Sequence, residues 1–302
     1  MPPDRRALLQ IHLCVLLWGL TAILGKLITL PAVALVWWRM LGVCLLLLPL
    51  PRVIGALRRM PPRLAGLYAG IGALVAAHWL TFYGAIKLAN ASVAATCMAL
   101  GSVFAAVLEP RLLGRRMSRR ELALGAAAIP GVALVVGGIP SGMRLGFAIG
   151  ALSAALSALF TVLNKRWATQ GDALAVTWVE MAAGWALIGL ALPLLARVPG
   201  VDAGLPWPSP ADTALLGVLI VACTILPFAL SLVALRRVSA FSMQLALNLE
   251  PVYAIALAVV LLGEHRELTP AFYAGVILVL GAVFAQPLLD GLAARRARDR
   301  LS

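Results

Sequence analysis

The chain has 302 residues, of which 62% are hydrophobic and 12% charged, and its formal net charge is +13. A soluble domain carries about a quarter charged residues, so this composition excludes an ordinary soluble enzyme or binding domain. The basic excess stands in short clusters between apolar stretches with no aromatic-interleaved basic groove, which argues against a nucleic-acid partner.

A helix needs roughly 20 mainly apolar residues to cross about 30 Å of hydrocarbon. Ten segments meet that need, near 8–28, 32–50, 64–86, 91–113, 121–139, 146–168, 173–195, 212–235, 239–262 and 271–289. Arg5 and Arg6 precede the first, the arrangement of a signal peptide. Its apolar run from Leu8 passes twenty residues and further spans follow, so an uncleaved first helix is expected. The second span carries Arg39 and the third His78. Glu109 ends the fourth and is expected to pair with Arg115 and Arg116 at the interface. Gly142, Gly146 and Gly150 open the sixth with two GxxxG spacings, which suit close helix contact within the chain or in a homodimer. The loop 197–211 contains Pro199, Pro206, Pro208 and Pro210 and reads as a stiff outer connector. The ninth span holds Glu250 next to Pro251. Lys26, Lys87 and Lys165 lie near helix ends and are expected to snorkel to the headgroups.

Basic residues flanking membrane spans stay on the cytoplasmic side. With alternating spans, 19 of the 25 Lys and Arg fall on one side, including Arg52, Arg58, Arg59, Arg63, Arg236 and Arg237. Five lie on or near the other side: Lys26, Lys87, Arg144, Arg197 and Arg266. Both termini are therefore expected in the cytoplasm, with membrane lipid, including anionic headgroups, as a partner. Cys14, Cys44, Cys97 and Cys223 all sit inside apolar spans and read as packing residues, forming no ligand cluster. No P-loop, HExxH or GxSxG pattern occurs, so neither a cofactor nor a metal is expected.

The chain repeats itself. Ala34-Leu-Val-Trp37-Trp-Arg39-Met40 returns as Ala175-Val-Thr-Trp178-Val-Glu180-Met181. Val103-Phe-Ala105-Ala-Val-Leu108 returns as Val252-Tyr-Ala254-Ile-Ala-Leu257, with Leu112-Leu113-Gly114 matching Leu261-Leu262-Gly263. Leu20, Leu24 and Lys26 match Leu159, Leu163 and Lys165. The fold expected is an all-α membrane protein of ten transmembrane helices in two five-helix repeats. Five is odd, so the second repeat enters the membrane from the opposite side. Such inverted repeats place a site at the midplane where the halves meet and favour alternating access.

Trp18-Gly19, Arg39-Met40, His78-Trp79-Leu-Thr-Phe82-Tyr83-Gly84-Ala85-Ile86-Lys87, Leu249-Glu250-Pro251-Val252, and Leu261-Leu262-Gly263-Glu264 followed by Leu268-Thr269-Pro270 carry a family resemblance. Over nearly its whole length the chain resembles an EamA-type transporter of the drug/metabolite transporter superfamily. Arg115 stands where the first repeat of that family commonly has Glu. The resemblance implies ten helices around a central cavity, with the fifth and tenth peripheral, and export or exchange of small metabolites such as amino acids. It divides the chain into a first repeat at 1–140, a second at 141–290 and a basic cytoplasmic tail at 291–302. The setting expected is a bacterial inner membrane and the partner a small-molecule substrate.

Ionisable side chains within a bilayer are costly and are usually functional or paired. Arg39 lies roughly 10 Å from the outer end of its helix, and Glu180 is its repeat mate, so both are expected to face the space between the repeats. Arg39 could hold a substrate carboxylate or phosphate, or simply pair with Glu180 or Glu250. Glu250 or Glu180 is the expected proton-coupling group. His78, Trp18, Trp79, Tyr83, Gln244 and Asn248 complete the expected cavity, and Asn164 either joins it or bridges helices. The rival reading is a membrane-embedded enzyme acting on lipid-linked substrates through His78, Glu180 and Glu250.

Overall fold

The computed structural model describes residues 5–114, 117, 123, 130–247, 249–281 and 285, and every described regular element is helical. In chain order these are α1 (Arg5–Leu27), α2 (Ala32–Leu47), α3 (Pro51–Arg59) and α4 (Pro62–Leu88). Then come α5 (Ala91–Leu113), α6 over 130–137, α7 (Ser141–Trp167), α8 (Ala173–Leu195) and α9 (Pro210–Leu235). The last are α10 (Ala240–Leu247), α11 (Glu250–Leu262) and α12 (Pro270–Gly281). Of the described helices, α1, α4, α5, α7, α8 and α9 are each long and apolar enough to cross a membrane.

The second expected span, 32–50, holds α2 and ends at a sharp bend. α2 stops at Leu47, and α3 leaves it at 96°. Pro51 starts the new helix, where its missing N–H is no loss. α3 carries Arg52, Arg58 and Arg59 and buries only Val53, the pattern of a helix lying on a surface. Part of the expected fifth span, the basic residues Arg115, Arg116, Arg119 and Arg120, and the tail at 291–302 lie outside the described residues. The expected pairing of Glu109 with Arg115 and Arg116 falls with them.

The packing exchanges between the halves in pairs. α4 packs on α7 as α9 packs on α1, and α5 packs on α7 as α11 packs on α1. α2 meets α8, and α5 meets α11, across the middle. That is the pattern of a two-fold relation between the two halves.

In lipid, helices associate through van der Waals contact and hydrogen bonds, because the tails are as apolar as leucine. Small residues therefore decide where backbones meet. A Cβ on Gly72 of α4 would stand 2.7 Å from Cα of Glu180 in α8. Gly146 of α7 lies against Ala89 and Gly150 against Cys97, whereas Gly142 has nothing within 4 Å. The second GxxxG spacing thus serves packing within the chain.

Two of the lysines near helix ends each bond a neighbouring helix end. Lys87 Nζ donates to the Ile28 carbonyl (2.7 Å) and Lys165 Nζ to the Leu235 carbonyl (2.6 Å). Each lysine reaches a carbonyl at the C-terminal end of a neighbouring helix, which has no intrahelical partner and sits at the negative end of the dipole.

Candidate functional site

The site starts from a defect in α9. Val221–Ile225 forms a π-turn, in which Thr224 Oγ1 donates to the Leu219 carbonyl (2.6 Å). Pro227 follows, and a proline has no N–H for the carbonyl four residues back, here that of Cys223. Arg39 fills the vacancy: its Nη2 donates to the Cys223 carbonyl at 3.1 Å, and its Nε to Thr224 Oγ1 at 2.7 Å. Its Nη1 donates to the Tyr83 hydroxyl at 2.7 Å. The guanidinium lies 3.8 Å from the centroid of the Trp79 ring, a cation–π contact made in a desolvated place. Arg39 is 1% exposed. Gly25 of α1 provides the notch for the Tyr83 ring, since a Cβ there would stand 2.7 Å from Cδ1.

His78, one residue before Trp79, is held by Ser153 of α7. Its Nδ1 lies 2.9 Å from the Ser153 carbonyl, and Ser153 Oγ donates back to the His78 carbonyl (2.9 Å). A carbonyl only accepts, so Nδ1 carries the proton of this bond. Phe160 and Phe82 flank the imidazole. Along α7, Ser157, Thr161 and Asn164 recur at helical spacing and share a face. Gln244 of α10 crosses to them, its Nε2 donating to Thr161 Oγ1 (2.9 Å) and Ser157 Oγ (3.3 Å).

These groups surround a cavity of about 70 Å3, where a single water needs roughly 10–15 Å3 on the same scale. Its polar wall comes from Arg39, His78, Ser157, Thr161, Asn164, Ser231, Gln244 and Glu250, and its apolar wall includes Trp18, Trp79, Phe82, Phe160 and Phe228. Both repeats contribute. Glu250, in the first turn of α11 beside Pro251, is 8% exposed and faces this space.

The structure brings together most of the expected residues. Trp18, Arg39, His78, Trp79, Gln244 and Glu250 line the cavity, and Tyr83 stands behind it, holding Arg39. Asn248 lies outside the described residues. Glu180 is not in the lining. It is fully buried where α8 crosses α4, beside the Asn164 side chain. No ion pair joins Arg39 to Glu180 or Glu250. The repeat mates Arg39 and Glu180 therefore occupy different surroundings, because Pro227 draws the arginine to α9. Reading residues singly missed Thr224 and Cys223. The signal for them was Pro227 itself, which announces an unpaired carbonyl four residues earlier. Among the described residues no group of three or more His, Cys, Asp or Glu is placed to hold a metal.

The family model of the EamA-like transporters matches residues 5–137 and again 144–285. The chain belongs to the EamA-like transporter family. It is a multi-pass membrane protein built of two EamA repeats, and the cavity takes residues from each. A solved structure, described only as the crystal structure of a protein, is similar to this chain with a TM-score of 0.66 at 20% identity. The match covers 96% of this chain and 98% of that one, and shows the shared fold. No curated protein matches.

Proposed function

We propose that this protein is a proton-linked secondary transporter that exports a small metabolite, an amino acid or related organic compound, across a bacterial inner membrane by alternating access. Ten membrane helices form two inverted five-helix repeats, with both termini in the cytoplasm. The observation that carries the reading is the cavity between the two EamA repeats, with a buried cation and a carboxylate in its wall. Substrate binds there, against Trp18, Trp79, Phe160 and Phe228. Arg39 presents a fixed positive charge to an acidic group of the substrate, through the N–H groups that Thr224, Tyr83 and Cys223 leave open.

Glu250 is the coupling group. It opens a helix at Pro251 beside the cavity, so its carboxyl can exchange a proton with whichever side the cavity faces. Glu180 sits away from the lining and has the weaker claim. The test is a substrate screen in proteoliposomes with and without an imposed pH gradient. Transport that responds to the gradient in the parent protein, and loses that response in Glu250→Gln, is the expected result. A Glu250→Gln protein that keeps full pH-driven transport removes Glu250 from the role. No flux of any compound above empty liposomes removes the transport reading.

A further inference from the structure

At each end of the bundle, one repeat caps a helix of the other. Glu264, in the turn after α11, is 1% exposed. Its two oxygens accept from the backbone N–H groups of Ala91 (3.0 Å) and Ser92 (2.9 Å), which open α5. Asn90 joins the same seam, donating from Nδ2 to Glu267 at 3.0 Å while its Oδ1 accepts from Val93 N–H at 2.9 Å. Near the other end of α5 stands Glu109, also 1% exposed. Its Oε1 accepts from the N–H of Ala240, the first residue of α10, at 3.3 Å. Ala91 and Glu109 are 18 positions apart, or about 27 Å along a helix at 1.5 Å per residue. The two caps therefore lie on opposite sides of the cavity.

The sequence register makes this more than a coincidence of two acids. Aligning Val103 with Val252 places Arg115 opposite Glu264. The first repeat lacks the acid at that position, and Glu109 supplies a carboxylate to the partner repeat from six residues earlier. The contact recurs although the residue position does not.

A carboxylate on the open N–H groups of a helix N-terminus is a charge-assisted contact, favoured by the dipole. Here each such contact crosses the seam between the repeats. It is strong while the seam is dry. If the repeats tilt apart at that end, water enters and hydrates both the carboxylate and the freed N–H groups, so the net cost of release is modest. We propose that Glu264 and Glu109 are the two latches of the transport cycle: opening the cavity to one side releases one of them while the other stays engaged. The inference rests on the alternating-access reading above and adds to it the groups that hold each side shut.

The experiment places a reporter cysteine in the cavity wall at Ser231, which is 8% exposed, in a chain whose four native cysteines are buried. A membrane-impermeant maleimide is applied to right-side-out and inside-out vesicles, and the labelling rate is compared between the two faces. Glu264→Gln is expected to raise labelling from the face that carries Glu264 relative to the other, by about tenfold, the worth of one charge-assisted hydrogen bond. Glu109→Gln is expected to shift the ratio the opposite way. Should Glu264→Gln fail to fold, Ala91→Pro decides. It removes one donor at the first position of α5, where proline is tolerated, and is expected to shift the ratio in the Glu264→Gln direction. Variants that leave the ratio unchanged, or move it in the same direction for both acids, overturn the latches. A parent protein labelled from one face alone under every condition overturns alternating access itself, which is a separate result.

Discussion

Replacing Tyr83 by phenylalanine tests how much of the site rests on the arginine clamp. The ring keeps its shape, so its edge contact with Phe82 (5.5 Å between centroids) and its seat against Gly25 remain. Only the hydroxyl goes, and with it the 2.7 Å bond from Arg39 Nη1. A hydrogen bond to a charged group contributes about 1.5–3 kcal/mol net, and a stranded buried donor costs a similar amount. Arg39 and Tyr83 are 1% and 0% exposed, but the cavity borders the guanidinium and can pass a water to it. The expected loss is therefore near the middle of that range, about 2 kcal/mol. Equilibrium unfolding in mixed detergent micelles, followed by far-ultraviolet circular dichroism, measures it. The companion variant Arg39→Met completes a double-mutant cycle, which isolates the pairwise part. A coupling of about 1 kcal/mol or more is expected. A Tyr83→Phe loss under about 0.5 kcal/mol, within the scatter of an ordinary surface change, or a cycle that closes additively, would refute the clamp.

Three further outcomes follow from the geometry. Gly72→Ala forces a Cβ against the Glu180 backbone, and overpacking of this kind costs about 1–3 kcal/mol; a thermal melt unchanged from the parent would show that α4 and α8 separate easily. Trp79→Leu removes the ring that covers Arg39 and is expected to cost about 2 kcal/mol as a buried cation–π contact, so an unchanged unfolding midpoint would count against that contact. Asp172 caps α8 by accepting from Leu174 and Ala175 N–H, and it takes two bonds from Arg52 of α3. Burial pushes its carboxyl up, but the Arg52 guanidinium and the backbone donors outweigh this and hold it below the usual carboxylate range. Its stabilisation is then fully present above about pH 4, the ordinary value, and is lost as pH falls through the lower folded value. Asp172→Ala is expected to cost about 1 kcal/mol at neutral pH and to differ less from the parent as the pH is lowered; a difference that grows on acidification would sink the assignment.

Much of the architecture was legible in the chain itself. A membrane has no water for backbone groups, so long apolar runs must be helices, and their lengths and charge alternation can be read directly. The two repeats were legible because A-x-x-W-x-[R/E]-M returns 141 residues later. The site was legible as a set of residue types: a charge or a histidine in an apolar span stands out, and Arg39, His78 and Glu250 meet in one cavity for that reason. Their partners were not legible. Sequence symmetry pairs Arg39 with Glu180, yet Arg39 goes to the carbonyl that Pro227 orphans in α9, and Glu180 is buried against Gly72. The register of the repeats likewise puts Arg115 opposite Glu264, while the structure gives the reciprocal cap to Glu109. Composition and periodicity determine which segments cross the membrane, because that depends on each segment alone. Which buried donor finds which acceptor is decided by where helix ends and broken turns fall in space, and the tertiary structure alone holds that information.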